Sequence, residues 1–332
     1  MSFMLLLIYC LLIVLASLAG GWIPLVVRLT HRRLELAISF VSGAMLGVAL
    51  LHLLPHAWMQ RAAWLRQSAT STTSSELGHG DFSAVVGWML GGFLAMFLIE
   101  RFFCFHHHDP IEEQTPRDDA PHPRHGHTLT WAGAALGLTI HSLIAGVALG
   151  ASVVAERHDE TGASLAGFGA FLMIVLHKPF DSLTLGTLMA AQRRSARLRH
   201  VVNGAFGLVV PLGVVLFFLG LSDESAEQSL LISRALAFSA GTFLCIALSD
   251  LLPELQFHQH DRIKLTAALL LGLALAWGAG KLEAQSHDHA AVDAVLNQGA
   301  ATQSQPSCLP WATVRSTLDP PRPMDILYRS CT

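Results

Sequence analysis

Phe40-Val-Ser-Gly43-Ala-Met-Leu46-Gly-Val-Ala49-Leu50-Leu-His52-Leu53-Leu54-Pro55-His56 aligns without a gap on Phe238-Ser-Ala-Gly241-Thr-Phe-Leu244-Cys-Ile-Ala247-Leu248-Ser-Asp250-Leu251-Leu252-Pro253-Glu254. The Phe, Gly, Leu, Ala-Leu and Leu-Leu-Pro positions coincide. Each stretch lies in a run of about 20 apolar residues, long enough for a helix to cross a bilayer. The chain therefore holds two copies of one membrane-spanning helix.

Outward from these copies, eight such runs follow one another, at roughly 3–25, 36–58, 83–105, 129–154, 165–190, 201–221, 232–256 and 263–281. The first lacks the basic start and small-residue cleavage site of a signal peptide, and is read as a span. Of the 332 residues, 52% are hydrophobic and 14% charged, and the mean hydropathy is +0.48, far from a soluble domain. The fold class is an all-α polytopic membrane protein. The net charge of -3 says nothing about nucleic acid, but no Lys/Arg-rich face and no Gly-rich phosphate loop appear, and nucleic acid is discarded as a partner.

Orientation follows from the basic residues, which collect in cytoplasmic loops. Arg28, Arg32 and Arg33 occupy the first loop, Arg193, Arg194, Arg197 and Arg199 the fifth, and Arg262 and Lys264 the seventh. The fourth (156–164) and sixth (222–229) are acid-rich. Odd loops then face the cytoplasm and both termini lie outside, so spans two and seven run in opposite senses. Such inverted copies are a frequent plan among secondary transporters. Spans four and five supply a second pair: His141-Ser-Leu-Ile-Ala145-Gly-Val-Ala-Leu149-Gly150 matches His177-Lys-Pro-Phe-Asp181-Ser-Leu-Thr-Leu185-Gly186 at the His and Leu-Gly positions. The expected arrangement is eight helices in a 3+2+3 inverted repeat.

Histidine and aspartate inside hydrocarbon are costly, and by default mark a path for an ion or proton. His177 and Asp181 lie four residues apart, on one helix face about 6 Å apart along the axis. His141 and His177 sit near the middle of their spans. An imidazole nitrogen beside a carboxylate oxygen makes half of a first-row metal site. His52 and His56, near the external end of span two, and Asp250 and Glu254, near the cytoplasmic end of span seven, occupy matching places in the repeat. They mark the path in and out of a central site. Pro179 frees the carbonyl of Val175, which either coordinates a cation or simply kinks the helix. Gly137, Gly146, Gly150, Gly167, Gly169 and Gly186 are expected to serve close helix packing.

The third loop, 106–128, carries His106, His107, His108, His122, His125 and His127 among Asp, Glu, Pro and Arg, and reads as a cytoplasmic tether that either captures metal weakly or is only solvated. Residues 1–281 thus form the transmembrane domain, including this loop. Residues 282–332, with His287, His289 and several prolines, form an extracytoplasmic, loosely ordered tail. Cys10, Cys104 and Cys245 read as apolar fillers, whereas Cys308 and Cys331 in the tail are able to pair if that side is oxidising.

At these residues the chain resembles the ZIP family of divalent metal transporters. The resemblance rests on eight spans, the His-rich third loop, the His-Ser-x-x-x-Gly-x-Ala-x-Gly of span four, the His-Lys of span five and the G-x-x-L-x-x-A-L-x-x-L-L-P of spans two and seven. It implies movement of zinc, and in some members iron, manganese or cadmium, into the cytoplasm across the plasma membrane. It also implies a homodimer, no enzyme activity, and His141, Ser142, His177 and Asp181 as transport-site positions. One departure is Ala145, where the family carries an acid; here Asp181 supplies the carboxylate from the facing helix. Lys178 replaces an acidic ligand of two-metal members, and its ammonium stands where a second cation would sit, predicting a single central ion. Two nitrogens and one carboxylate suit Zn²⁺ better than Ca²⁺ or Mg²⁺. A cation-diffusion exporter shares His-x-x-x-Asp, but would have about six spans and a cytoplasmic C-terminal domain. Two further readings stay open: an intramembrane zinc hydrolase and a degenerate, non-transporting metal sensor.

Overall fold

The computed structural model describes residues 2–26, 31–68, 79–103, 131–156, 165–221, 225–257 and 262–303. These residues are helical apart from short connections, with no strand among them. In chain order the helices are α1 (Ser2–Val26), α2 (His31–Val48), a π turn (Ala49–Leu53), α3 (Leu54–Ser68), α4 (His79–Phe103), α5 (Trp131–Ala155), α6 (Phe168–Ala191), α7 (Ala196–Gly207), α8 (Val209–Leu219), α9 (Ser225–Phe257) and α10 (Arg262–Gln303). The chain divides into a unit 1–291 and a second unit 292–332, whose described residues are helical. The membrane-crossing stretches all belong to the first.

Among the described residues, eight helical stretches are long and apolar enough to cross a membrane. The second is α2, the π turn and α3 run together, Arg32–Ser68, and the sixth is α7 with α8, Ala196–Leu219, parted at Leu208. The eight expected spans are thus all present, with shifted ends. The second overshoots its expected end because Met59 to Ser68 contains neither Gly nor Pro and is rich in good helix formers. The last helix likewise runs on to Gln303, where an irregular tail is expected from the sequence; its alanines favour helix, and the next proline is Pro306. The loop 106–128, Cys104, Cys308 and Cys331 lie outside the described residues.

The π turn lies just before Pro55, although the aligned Pro253 sits within the regular α9, so the proline alone does not set it. Pro55 has no N–H to give to the carbonyl of Leu51, so the α ladder is interrupted there in any case. The preceding residue bonds one place further back, from Leu54 N–H to the carbonyl of Ala49. One extra residue is thereby taken into the turn and the side chains around it are re-aimed, His52 among them.

Packing is organised by glycines that let backbones touch. Any side chain on Gly241 of α9 would overlap the backbone of Met89 and Phe93 in α4, and one on Gly92 of α4 would overlap Phe238. On the matching copy, Gly43 of α2 meets the backbone of Leu269 in α10, while Gly272 of α10 meets Phe40 and Ala44. Phe40 with Gly43 and Phe238 with Gly241 are paired positions of the sequence repeat, and each pair takes the same kind of crossing with a different partner. Gly146 of α5 and Gly213 of α8 seat those two helices in the same way, against Val210 and Leu143, and Gly20 brings α1 onto Pro179 of α6. Such small-residue contacts replace the hydrophobic drive that lipid cannot supply between apolar helices. Gly186 departs from the expectation for it, having nothing among the described residues within 4 Å of where a side chain would begin.

The interior so formed holds Ile13, Met45, Leu53, Leu149, Met173, Ile174, Ile232, Leu236 and Phe243, all fully buried. Leu7, Leu90, Leu212 and Leu271 point outward. Helices apolar on both faces belong in hydrocarbon.

Candidate metal centre

Helices α5 and α6 face each other across the middle of the bundle and bring together the residues expected there. Nε2 of His141 lies 3.3 Å from Nε2 of His177, and the latter lies 3.8 Å from Oδ2 of Asp181. The three donor atoms sit within 4.8 Å of one another. Both imidazoles are buried, at 2% and 4% exposure. His177 donates from Nδ1 to the carbonyl of Met173 at 2.8 Å, the bond a helical residue makes one turn back. In that tautomer Nε2 keeps its lone pair and turns it toward His141. Phe243 of α9 presents its ring to both imidazoles, with centroids 6.0 and 6.2 Å away. This ring makes an apolar wall on one side of the two imidazoles. A small cavity opens beside His177 and Asp181, bounded by Val41, Met45, Phe180 and Ile246.

Lys178 is wholly buried and has three neighbours. Its ammonium donates to Oγ of Ser142, stands 4.0 Å from Oδ2 of Asp181, and lies 3.6 Å above the ring of Phe206. A positive charge is thus held next to the metal donors by a hydroxyl, a carboxylate and an aromatic face, each favourable to a cation. Ser142, expected as a donor, accepts from this ammonium, which takes one of the two lone pairs on its oxygen. Ala145 is fully buried and brings no donor.

His52 and His56 meet a partner that the sequence reading did not single out. Oε1 of Glu156, the residue after α5, lies 3.3 Å from Nε2 of His52, and donors from His52, His56 and Glu156 fall within 4.8 Å of one another. The other carboxylate oxygen accepts 2.7 Å from N–H of Gly167, the left-handed residue that precedes α6. No spacing links Glu156 to span two, and in sequence it looks like one more acid of the fourth loop. Glu100 of α4 was also missed; its carboxylate accepts from Oγ of Ser249 at 2.8 Å, with Sγ of Cys245 at 4.0 Å. An acid inside an apolar run was the available signal. Asp250 and Glu254 lie on α9, and their side chains are outside the described residues.

Two imidazole nitrogens and one carboxylate oxygen, converging in a largely buried interior, are the donor types a borderline divalent metal takes, and such a metal would have one position left over for water. Comparison with known proteins agrees with that chemistry. The family model described as "ZIP Zinc transporter" matches residues 3–131 and 106–278. Zinc transporter ZIP9-B of Xenopus laevis is 30% identical over 280 residues, covering 76% of this chain and 87% of that protein. Zinc transporter ZIP9 of Micropogonias undulatus is 29% identical over 271 residues, 73% of this chain and 82% of its own. Zinc transporter ZIP13 of Mus musculus is 27% identical over 272 residues, 77% and 69% of the two chains. With the family model spanning nearly the whole membrane-crossing part of the sequence, and relatives aligning over most of their own length, the chain belongs to the ZIP zinc transporter family.

Proposed function

We propose that the protein carries a divalent cation, Zn²⁺ before Fe²⁺, Mn²⁺ or Cd²⁺, into the cytoplasm through a site between α5 and α6 made by His141, His177 and Asp181. The observation that supports this best is the convergence of those three donors, from two facing helices, in an interior where lone polar groups would be costly. The zinc transporters among its relatives support the choice of ion. Water completes the shell, or Ser142 through its remaining lone pair.

Transport needs the site to open to one side and then the other. The paired glycine crossings of Gly43 and Gly241 support a 3+2+3 inverted repeat, in which α5 and α6 shift against a frame built on α2, α4, α9 and α10. The distribution of Arg and Lys supports both termini outside, and the family resemblance a homodimer in the plasma membrane. Glu156 joins His52 and His56 on the external side, with Asp250 and Glu254 on the cytoplasmic one.

Zinc uptake into proteoliposomes by the native chain, His177→Ala and Asp181→Ala tests the proposal. The native chain takes up zinc and both variants lose at least tenfold of the rate. Binding without uptake by the native chain favours the sensor reading, and zinc-dependent lipid hydrolysis the hydrolase.

A further inference from the structure

We infer that His52, His56 and Glu156 form a second divalent-metal site, separate from the central one and filled independently of it. The binding claim stands apart from the transport reading; the site's role as a waypoint for the transported ion rests on that reading.

Four features argue for a built site. A tetrahedral zinc with bonds of about 2.1 Å sets its ligands about 3.4 Å apart, and His52 Nε2 to Glu156 Oε1 already spans 3.3 Å. The side chains of His52 and Glu156 are 4% and 1% exposed, so the carboxylate is held inside the protein beside the imidazole. His56 donates from Nδ1 to the carbonyl of His52 at 2.8 Å, which leaves Nε2 as the acceptor nitrogen, the arrangement seen in the central His177. Finally, His52 lies in the π turn, a distortion found often at functional sites, and Gly169 leaves room for its ring: a side chain there would begin 3.1 Å from it.

The two clusters do not share ligands. His141 and Glu156 are about 22 Å apart along α5, and Gly169 and His177 about 12 Å apart along α6. Three protein donors leave a fourth position for water, as in zinc sites whose ligands exchange. The carboxylate of Glu156 is also tied to the start of α6 through Gly167, so the ion would sit where the helix carrying His177 and Asp181 begins.

Anomalous diffraction at the zinc edge, on the full-length protein soaked in zinc chloride, tests this. A peak is expected within about 2.2 Å of His52 Nε2, His56 Nε2 and Glu156 Oε1. It persists in His177→Ala and is lost in Glu156→Gln and in His56→Ala. Glu156→Gln keeps an oxygen to accept from Gly167, so the helix start survives and the loss reports ligation. A central peak with none at His52, or a peak at His52 that survives both substitutions together, overturns the inference and leaves the transport site standing. A peak at His52 with none between His141 and His177 supports the inference and removes the central site instead.

Discussion

Replacing Lys178 with Met should make the central site hold zinc more tightly and turn over more slowly. The buried ammonium lies 4.0 Å from Asp181, a distance at which unit charges attract by about 4 kcal/mol in an effective dielectric of about 20. A metal bound to Asp181 must share that carboxylate, and it carries two charges of the same sign as the lysine. At roughly 5 Å the repulsion is about 6–7 kcal/mol in the same dielectric. If water and rearrangement cancel four fifths of this, about 1.4 kcal/mol remains, which is tenfold in affinity. Met fills a similar volume in a position with no exposure. Losing the bond to Ser142 and leaving Asp181 without its cation costs up to about 3–5 kcal/mol, offset in part by no longer burying the ammonium, so the melting temperature of the variant is measured before its uptake is read. Uptake by proteoliposomes should show KM lowered at least tenfold and kcat lowered with it, because a more tightly held ion leaves more slowly. The His-rich loop is common to both proteins and drops out of the comparison. An unchanged or raised KM would refute the view that this lysine weakens the metal's hold.

Ala145→Asp puts a carboxylate one turn after His141 at a fully buried position. Without metal the variant should lose about 3–5 kcal/mol of stability from an unpaired buried charge, and zinc should raise its melting temperature by more than it raises that of the native chain; equal zinc shifts in a thermal melt would argue that Ala145 faces away from the ion. Gly241→Val forces α4 and α9 apart and should cost about 1–3 kcal/mol or more, whereas Gly278→Val, with nothing within 4 Å among the described residues, serves as the neutral control. Thermal stability in detergent compares the two, and similar melting temperatures would contradict the glycine crossings.

The spans and the central donors were legible because both depend on local facts. Hydropathy marks a helix that meets lipid, and the four-residue spacing of His177 and Asp181 fixes a shared face whatever surrounds it. Glu156 was not legible, because its meaning comes from span two, a hundred residues earlier, and from the turn that aims His52. The partners of Lys178 were hidden for the same reason: the ring of Phe206 reaches it from α7, and no periodicity within α6 announces that. The overrun of the second span escaped because a hydropathy window sees where lipid contact ends, not where helix propensity ends. Gly186 shows the converse, a small residue in an apolar run with no close neighbour among the described residues.

The wide turn at Ala49–Leu53 has no counterpart in α9, where the aligned Ala247–Leu251 continues as ordinary helix. Two segments that align without a gap are therefore out of phase by roughly a quarter turn beyond that point. The two copies are consequently not interchangeable, and the repeat has a built-in polarity: past the wide turn, span two presents its side chains at another angle from the one an unbroken helix would give them.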